Sequence, residues 1–267
     1  AVIGFISAAA FAGLWVTKLG RLILPQPQES RVADFLPFNK LMADGITIRC
    51  YNGSFARVFK VEGVDLSFVT DEKSLSMMEA RKSWIDSMSD LQVVCRVITL
   101  RERIEMESDT GDFGIQLLEQ ISMTWRNNLD RVYSNGHYII LSVVDRPEAL
   151  KDLNYASQAL LATLNDYGVK PMFETEDSAA ADSPLAIFSK ICSPLSKPMP
   201  KVRGAEGYQL NELLTADHIH YNEEKGLIKF FSGDKEMFAI VMGIRSSGDY
   251  MDEGMIASLL SIDCELT

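Results

Sequence analysis

A predicted hairpin is the feature that most constrains the fold of this chain. Side chains alternate over residues 46–51, with apolar ones on one face and polar ones on the other. Asn52-Gly53 follows directly, the pair that best suits a two-residue turn with positive φ at both positions. Phe55–Val61 then reads as the returning strand. The pattern predicts two antiparallel strands with one buried face.

Helical and strand patterns alternate after this hairpin. In chain order we expect a helix from Thr70 or Asp71 to about Ser89, a strand over residues 93–100, a helix over 113–133 closed by Asn135-Gly136, a strand over 138–144, and a helix from Pro147 to Gly168. The side chains expected inward are Leu75, Met78, Ile85 and Met88, then Leu117, Leu118, Ile121, Trp125, Leu129 and Val132, then Leu150, Leu153, Ala159 or Leu160, and Leu164.

Residues 177–207 are rich in Ala, Ser, Pro and Gly, which predicts a loop-rich excursion around an apolar segment at 185–191. Strand patterns then return. The expectations are an antiparallel meander over residues 219–221, 227–231 and 237–244, a short helix over 253–260 and a last strand from Ile262.

The order of these elements predicts an α+β fold, with an antiparallel or mixed sheet and helices packed on one face. An N-terminal apolar helix is expected in addition. We divide the chain into residues 1–24, a membrane-associated helix; 25–192, the α+β domain; and 193–267, a β-meander extension that leads to a further domain.

The N-terminal segment is the candidate membrane anchor. Residues 1–16 carry no charge, and a helix over 1–24 would be about 36 Å long, enough for a bilayer core of about 30 Å. A core helix, a signal peptide and the end of a longer membrane segment stay open as alternatives. The residues assigned to the anchor are Phe5, Phe11, Leu14, Trp15, Val16, Lys18 and Arg21, the last two on the cytoplasmic side.

Charge and cysteine spacing narrow the class of protein. A formal net charge of -11 argues against direct nucleic-acid binding, because neutralising phosphates needs a basic surface. Cys50, Cys95, Cys192 and Cys264 form no CxxC pair and lie in or beside apolar runs. We expect buried reduced thiols, although disulfides remain an alternative.

Motifs for catalysis are missing from the sequence. It contains no phosphate-binding loop, no dinucleotide fingerprint and no nucleophile elbow. His218 and His220 share a strand face and are expected to face solvent rather than to bind a metal. The charges around Arg101, Glu102 and Arg103, with Glu105 and Glu107, are expected to be a solvated strand extension. We therefore predict no catalytic, cofactor or metal site in these residues.

Four short motifs carry a resemblance to a known family. They are Asp34-Phe35-Leu36-Pro37-Phe38, Asp44-Gly45-Ile46, Tyr51-Asn52-Gly53-Ser54-Phe55 and Lys60-Val61-Glu62-Gly63-Val64-Asp65. In order and spacing they resemble the start of the CagE/TrbE/VirB family, the traffic ATPases of type IV secretion and conjugation. The family has Tyr where this chain has Phe38 and Asp where it has Asn52. Residues 252–266 resemble the segment that precedes the family's motor domain.

The resemblance implies a non-catalytic N-terminal domain for membrane docking and assembly. It implies inner-membrane subunits of a type IV secretion system as partners, a hexameric homo-oligomer, and a location on the cytoplasmic side of the bacterial inner membrane. ATP and Mg²⁺ are expected in a C-terminal domain beyond these residues. A stand-alone membrane-anchored adaptor is the alternative, and a hydrolase with an unrecognised site is a third. The residues that carry the motif are Leu36, Pro37, Phe38, Asp44, Gly45, Asn52, Gly53, Gly63 and Asp65.

Overall fold

The computed structural model describes residues 32–89, 91–103, 115–128, 132–175, 179–196, 202, 209–222 and 226–241. The chain divides into two compact units, Ala1–Leu36 and Pro37–Thr267. The described part of the first unit holds a 3-10 turn, Val32–Phe35. The elements below all belong to the second unit.

The second unit combines strands with helices of very different length. The described strands are β1 (Phe38–Leu41), β2 (Thr47–Cys50), β3 (Phe55–Val61), β4 (Val93–Arg103), β5 (Tyr133–Val143), β6 (Val169–Pro171), β7 (His218–Asn222), β8 (Leu227–Ser232) and β9 (Lys235–Ile240). The described helices are α1 (Asp71–Met88), α2 (Gln116–Asn128), α3 (Ala149–Thr163), α4 (Ala186–Cys192) and α5 (Leu210–Leu214).

The larger sheet has the order β1-β2-β3-β5-β4. β6 also pairs with β3, at Phe59 to Val61, whereas β2 pairs at Phe55 to Arg57. These pairings are all antiparallel. The predicted α+β class with an antiparallel sheet is therefore confirmed. The smaller sheet, β7-β8-β9, is the predicted meander.

The two longest helices, α1 and α3, lie on one face of the larger sheet. Leu141 in β5 and Leu153 in α3 are both fully buried and belong to one apolar cluster with Trp84 of α1. Burying a Leu side chain fully contributes about 1.5–3 kcal/mol to folding. This cluster is the main core of the fold.

Short helices cover the opposite face, which the sequence prediction left open. Phe38 of β1 lies on that face, and its ring centroid is 4.5 Å from that of Phe188 in α4. Lys190 of α4 bonds Glu102 of β4 at 2.6 Å. The prediction that the helices pack on one face of the sheet only was therefore wrong. Ile140 of the eleven-residue strand β5 is only 4% exposed, and the apolar segment at 185–191 contributes Phe188 to the packing against β1.

Helix α1 begins where predicted, but Met88 alone of the predicted inward stripe is buried. Thr70 caps it by accepting a hydrogen bond from Lys73 N. The buried side chains are Met77, Trp84 and Met88, whereas the predicted Leu75, Met78 and Ile85 are 58%, 53% and 55% exposed. Both stripes have helical spacing. The one with the larger aromatic surface is buried.

The segment between β4 and β5 departs most from the prediction. Leu117, Leu118 and Ile121 of α2 were expected inside and are exposed. Asn135 and Gly136 do not close a helix; they lie within β5, opposite Arg101 and Leu100. The backbone groups of these two residues belong to the eleven-residue ladder between β5 and β4, so they need no helix cap to satisfy them. The side chains of Trp125 and Leu129 lie outside the described residues.

The hairpin between β2 and β3 forms as predicted, with a different turn. Gly53 has φ of 80°, but no residue other than glycine has positive φ in the described part of the chain. Asn52 acts through its side chain, whose Oδ1 accepts from Ser54 N at 3.1 Å and Ser54 Oγ at 2.6 Å. The Asn52 side chain thus stabilises the turn through hydrogen bonds, in place of the positive φ that was predicted at this residue.

Among the described residues, no helix is both long and apolar enough to cross a membrane. The anchor residues within 1–24, and the helix and strand predicted over 253–267, lie outside the described residues. The domain boundaries stay predictions.

Candidate interaction surface

The motif residues Asp44 and Gly45 form the turn between β1 and β2. The Asp44 carboxylate accepts hydrogen bonds from Thr47 N at 2.9 Å and Thr47 Oγ1 at 2.6 Å. Gly45 has φ of 70° and its carbonyl accepts from Glu174 N at 3.0 Å. Both residues therefore fix backbone geometry, and Gly45 joins the turn to the chain beyond β6.

The other motif residues also stabilise turns and packing. Asp65 Oδ1 accepts hydrogen bonds from Ser67 Oγ and, at 2.9 Å, from Ser67 N. These two bonds lower the pKa of the Asp65 carboxyl. Gly53 and Gly63 both have φ of 80°. Pro37 O accepts from Tyr51 N at 2.8 Å. The motifs thus form a structural framework rather than a chemical site, and Leu36 belongs to the first unit.

Arg57 is the centre of a half-buried polar cluster beneath α3. Its Nε donates to Thr47 Oγ1 at 2.9 Å and its Nη1 to Ser157 Oγ at 3.2 Å. Its Nη2 lies 3.6 Å from Asp44 Oδ2. Hydrogen bonds to a charged group contribute about 1.5–3 kcal/mol. The cluster holds the β1–β2 turn, β3 and α3 together.

Asp44 makes the stability of this cluster depend on pH. Desolvation alone would raise its pKa, but the Thr47 and Ile46 hydrogen bonds and the Arg57 charge outweigh it, so the pKa lies below 3.8. A depressed carboxyl pKa stabilises the fold above the unfolded value, and that stabilisation is lost as the pH falls through the folded value.

We therefore expect Asp44→Asn to lower the urea midpoint at pH 7 and to lower it much less at about pH 3. Asn keeps the Oδ1 acceptor for the Ile46 and Thr47 amides but replaces the Oδ2 acceptor of the Thr47 hydroxyl, so the substitution removes the charge together with that bond. An equal loss at both pH values would contradict the assignment of this pH dependence to Asp44.

Ser193, Asp217 and His218 each have a structural role. Ser193 Oγ donates to Leu214 O at 2.8 Å and accepts from Ala216 N at 2.8 Å. The buried Asp217 accepts from Leu195 N at 2.8 Å. The ring of His218 stacks on Phe231, with centroids 5.1 Å apart. Because the Ser193 hydroxyl donates to a backbone carbonyl, no base here activates it.

The remaining candidate groups have ordinary surroundings. Arg101 lies over the ring of Tyr133, 4.3 Å from its centroid, and Glu102 bonds Lys190. Arg101 and Glu102 are thus partly buried and each has a partner within the fold, while Glu105 and Glu107 lie outside the described residues.

The cysteines depart in part from the prediction of buried thiols, and His137 lies within β5. The Nδ1 atom of His137 lies 3.0 Å from Thr99 Oγ1. Cys50 is a buried free thiol as predicted, whereas Cys95 is exposed. Desolvation raises the pKa of the half-buried Cys192 thiol, which keeps it protonated near neutral pH.

The unusual feature is apolar surface on two helices. The outer stripe of α1, defined as Leu75, Met78 and Ile85, faces solvent beside an open groove of about 350 Å³. The outer stripe of α2, defined as Leu117, Leu118 and Ile121, is 64%, 42% and 49% exposed. Single exposed apolar residues are ordinary, but aligned sets on helices are typical of contact sites.

Sequence reasoning missed both outer stripes because it assigns periodic apolar residues to the core. A detectable signal was present in α1, where Met77 and Trp84 define one helical stripe and Met78 and Ile85 a second. A single packed face cannot bury both stripes.

No family model matches this chain, and a comparison with curated proteins finds no match either.

Proposed function

We propose that this chain is a non-catalytic assembly and docking domain of a type IV secretion or conjugation ATPase. In this proposal it binds inner-membrane subunits of the secretion system on the cytoplasmic side of the bacterial inner membrane, and it associates with further copies of itself, in a hexamer. Residues 1–24 tether it to the membrane. ATP and Mg²⁺ are used by a motor domain outside residues 1–267.

The observation that carries the proposal is the pair of outer stripes. Leu75 of α1 is 58% exposed and Leu117 of α2 is 64% exposed, although both lie in regular helices with apolar periodicity. Apolar helix faces that the fold leaves in water gain free energy when a partner covers them, at about 25 cal/mol per Å². A docking domain accounts for this surface better than an enzyme does.

The motif residues support the proposal through a different route. Asp44, Gly45, Asn52 and Gly53 build the two turns that flank β2. A motif whose residues set turns is expected to persist in a scaffold with no chemistry of its own. The specific link to type IV secretion rests on the order of these motifs in the sequence.

The test is affinity purification of the full protein from detergent-solubilised inner membranes of its native bacterium. We expect secretion-system subunits to copurify. A Leu117→Glu/Ile121→Glu variant should reduce their recovery at least about tenfold, because two buried carboxylates at the contact would lack partners.

Gln116→Glu/Gln120→Glu is the matched control, since it adds the same charge to exposed positions of the same helix. We expect recovery within about twofold of the unmodified protein, because surface substitutions away from a contact change free energies by about 0.5 kcal/mol or less. Copurification of no secretion-system subunit, or equal recovery from both variants, would refute the proposal.

A further inference from the structure

The outer edge of β4 is long and regular. β4 has 11 residues and is the last strand in the order of the larger sheet. Within the part of the chain that the structure describes, it pairs with β5 alone, from Val93 opposite Val143 to Arg103 opposite Tyr133 without a break in register. Alternate backbone N–H and C=O groups on its other edge can therefore pair with a further strand.

The opposite edge of the same sheet is shorter and less regular than β4. β1 has four residues, carries Lys40 and has an irregular register beside Phe38. These are the devices by which proteins block unwanted strand pairing. β4 contains no Pro, Gly or Lys, and its Val94 and Val97 are 45% and 70% exposed. The longer and more regular β4 edge is therefore the better candidate for pairing with a further strand.

We propose that β4 pairs antiparallel with β4 of a second copy of this chain, centred on Thr99. In a continuous two-fold sheet, opposing residues lie on the same face, so the register can change only in steps of two residues. Among the allowed registers, the one centred on Thr99 is the one that places oppositely charged side chains opposite each other. Arg96 of each copy then faces Glu102 of the other, and symmetry makes this contact twice.

The rest of this register is also complementary. Ile98 faces Leu100 of the second copy, and Val97 faces Arg101. The Arg101 guanidinium lies over the Tyr133 ring of its own copy. The aliphatic carbons of Arg101 can therefore cover the exposed Val97 of the second copy. The Glu102–Lys190 ion pair has both side chains 44–47% exposed, which leaves the Glu102 carboxylate open to a second cation.

This inference deepens the self-association in the proposed function and rests on it, but it uses β4 and not the outer stripes. The proposed self-association and the proposed docking of membrane subunits can therefore be refuted independently. Loss of dimerisation in β4 variants with normal recovery of membrane subunits, and the converse for the α2 variant, are the expected results.

The first test reverses charges in the full 267-residue chain, in detergent, with the dimer dissociation constant measured by sedimentation equilibrium. Arg96→Glu alone and Glu102→Arg alone should each weaken dimerisation about tenfold or more, since each replaces two attractive pairs with repulsive ones. The double variant should return to within about threefold. Within one copy the two residues are about 20 Å apart, so restoration reports contact between copies.

The second test forms a disulfide at the two-fold axis. In a Cys95→Ser background, Thr99→Cys places two thiols on directly opposite residues, whose Cα separation of about 4.5–5.5 Å suits a disulfide. An added copper-phenanthroline oxidant accepts the two electrons, and both thiol protons leave. Val97→Cys is the control, because its two copies lie about 13 Å apart along the strands.

We expect a covalent dimer from the Thr99→Cys chain and little from the Val97→Cys chain. A monomer at every concentration, a double charge variant as weak as the single ones, or equal cross-linking at both positions would overturn the proposal. So would a partner strand from another protein at this edge.

Discussion

Replacing Trp84 with Ala should lower the free energy of unfolding by about 3–5 kcal/mol. Trp84 is 5% exposed and lies in the same apolar cluster as Leu141 and Leu153. Removing its indole leaves a cavity between α1 and the sheet that the backbone cannot fully close. Urea denaturation followed by circular dichroism measures the loss, which is a large fraction of the stability of a domain.

Ile85→Ala is the matched control in the same helix. Ile85 is 55% exposed, and Ala has the higher helix propensity, so we expect a change within about 0.5 kcal/mol. The sequence prediction does not separate the two residues, because it places Ile85 in the inward stripe and also assigns to the core the face formed by Met77, Met78, Met88 and Trp84. A larger loss for Ile85→Ala would contradict the exposure of Ile85 and remove the outer stripe of α1.

The comparison between these two residues shows why part of the fold was predictable. Strand alternation, the Thr70 cap and Gly168 are local signals, and each element that they specify forms close to its expected position. Gly168 has φ of 63° and ends the 3-10 turn Asn165–Tyr167, whereas α3 itself ends at Thr163, before the predicted end. Local stereochemistry alone decides such features.

The choice between two helical stripes is a tertiary decision. Met77 and Trp84 are buried because α1 packs against α3, and Tyr167 Oη, in the 3-10 turn after α3, donates to Met77 O at 3.0 Å. Nothing in the periodicity of α1 encodes that neighbour. The same holds for Leu150, which was expected inside with Leu153 and is 37% exposed.

The error at Asn135-Gly136 has a different physical cause. An isolated Asn-Gly after an apolar helical pattern favours a cap, yet here the pair continues the ladder with β4. A ladder of eleven residues is a nonlocal interaction, and its summed backbone hydrogen bonds and side-chain pairs override a single local preference. The candidate surface was missed for the same reason, since exposure is decided by what the rest of the fold leaves uncovered.

Gly45→Ala should destabilise the fold by about 2–5 kcal/mol, although it adds a single methyl group. A Cβ at this position would lie 2.5 Å from the carbonyl oxygen of Glu174, which is backbone and cannot rotate away. The substitution also forces Ala to φ of 70°, at a cost of about 1–2 kcal/mol. Relief of the clash would move residue 174 away and weaken the 3.0 Å bond from Glu174 N to Gly45 O.

Gly63→Ala separates the two contributions. Gly63 has φ of 80°, but a Cβ added there meets nothing within 4 Å, so we expect only the conformational cost of about 1–2 kcal/mol. Chemical denaturation of both variants gives the difference, which measures how tightly the β1–β2 turn packs against the chain beyond β6. Equal losses would mean that the backbone near Glu174 yields freely, and Gly45 would then act through its φ alone. A larger loss at Gly45 would show that close contact between two backbone segments restricts this motif position to glycine. Such a constraint is expected of a structural scaffold rather than of a site for chemistry.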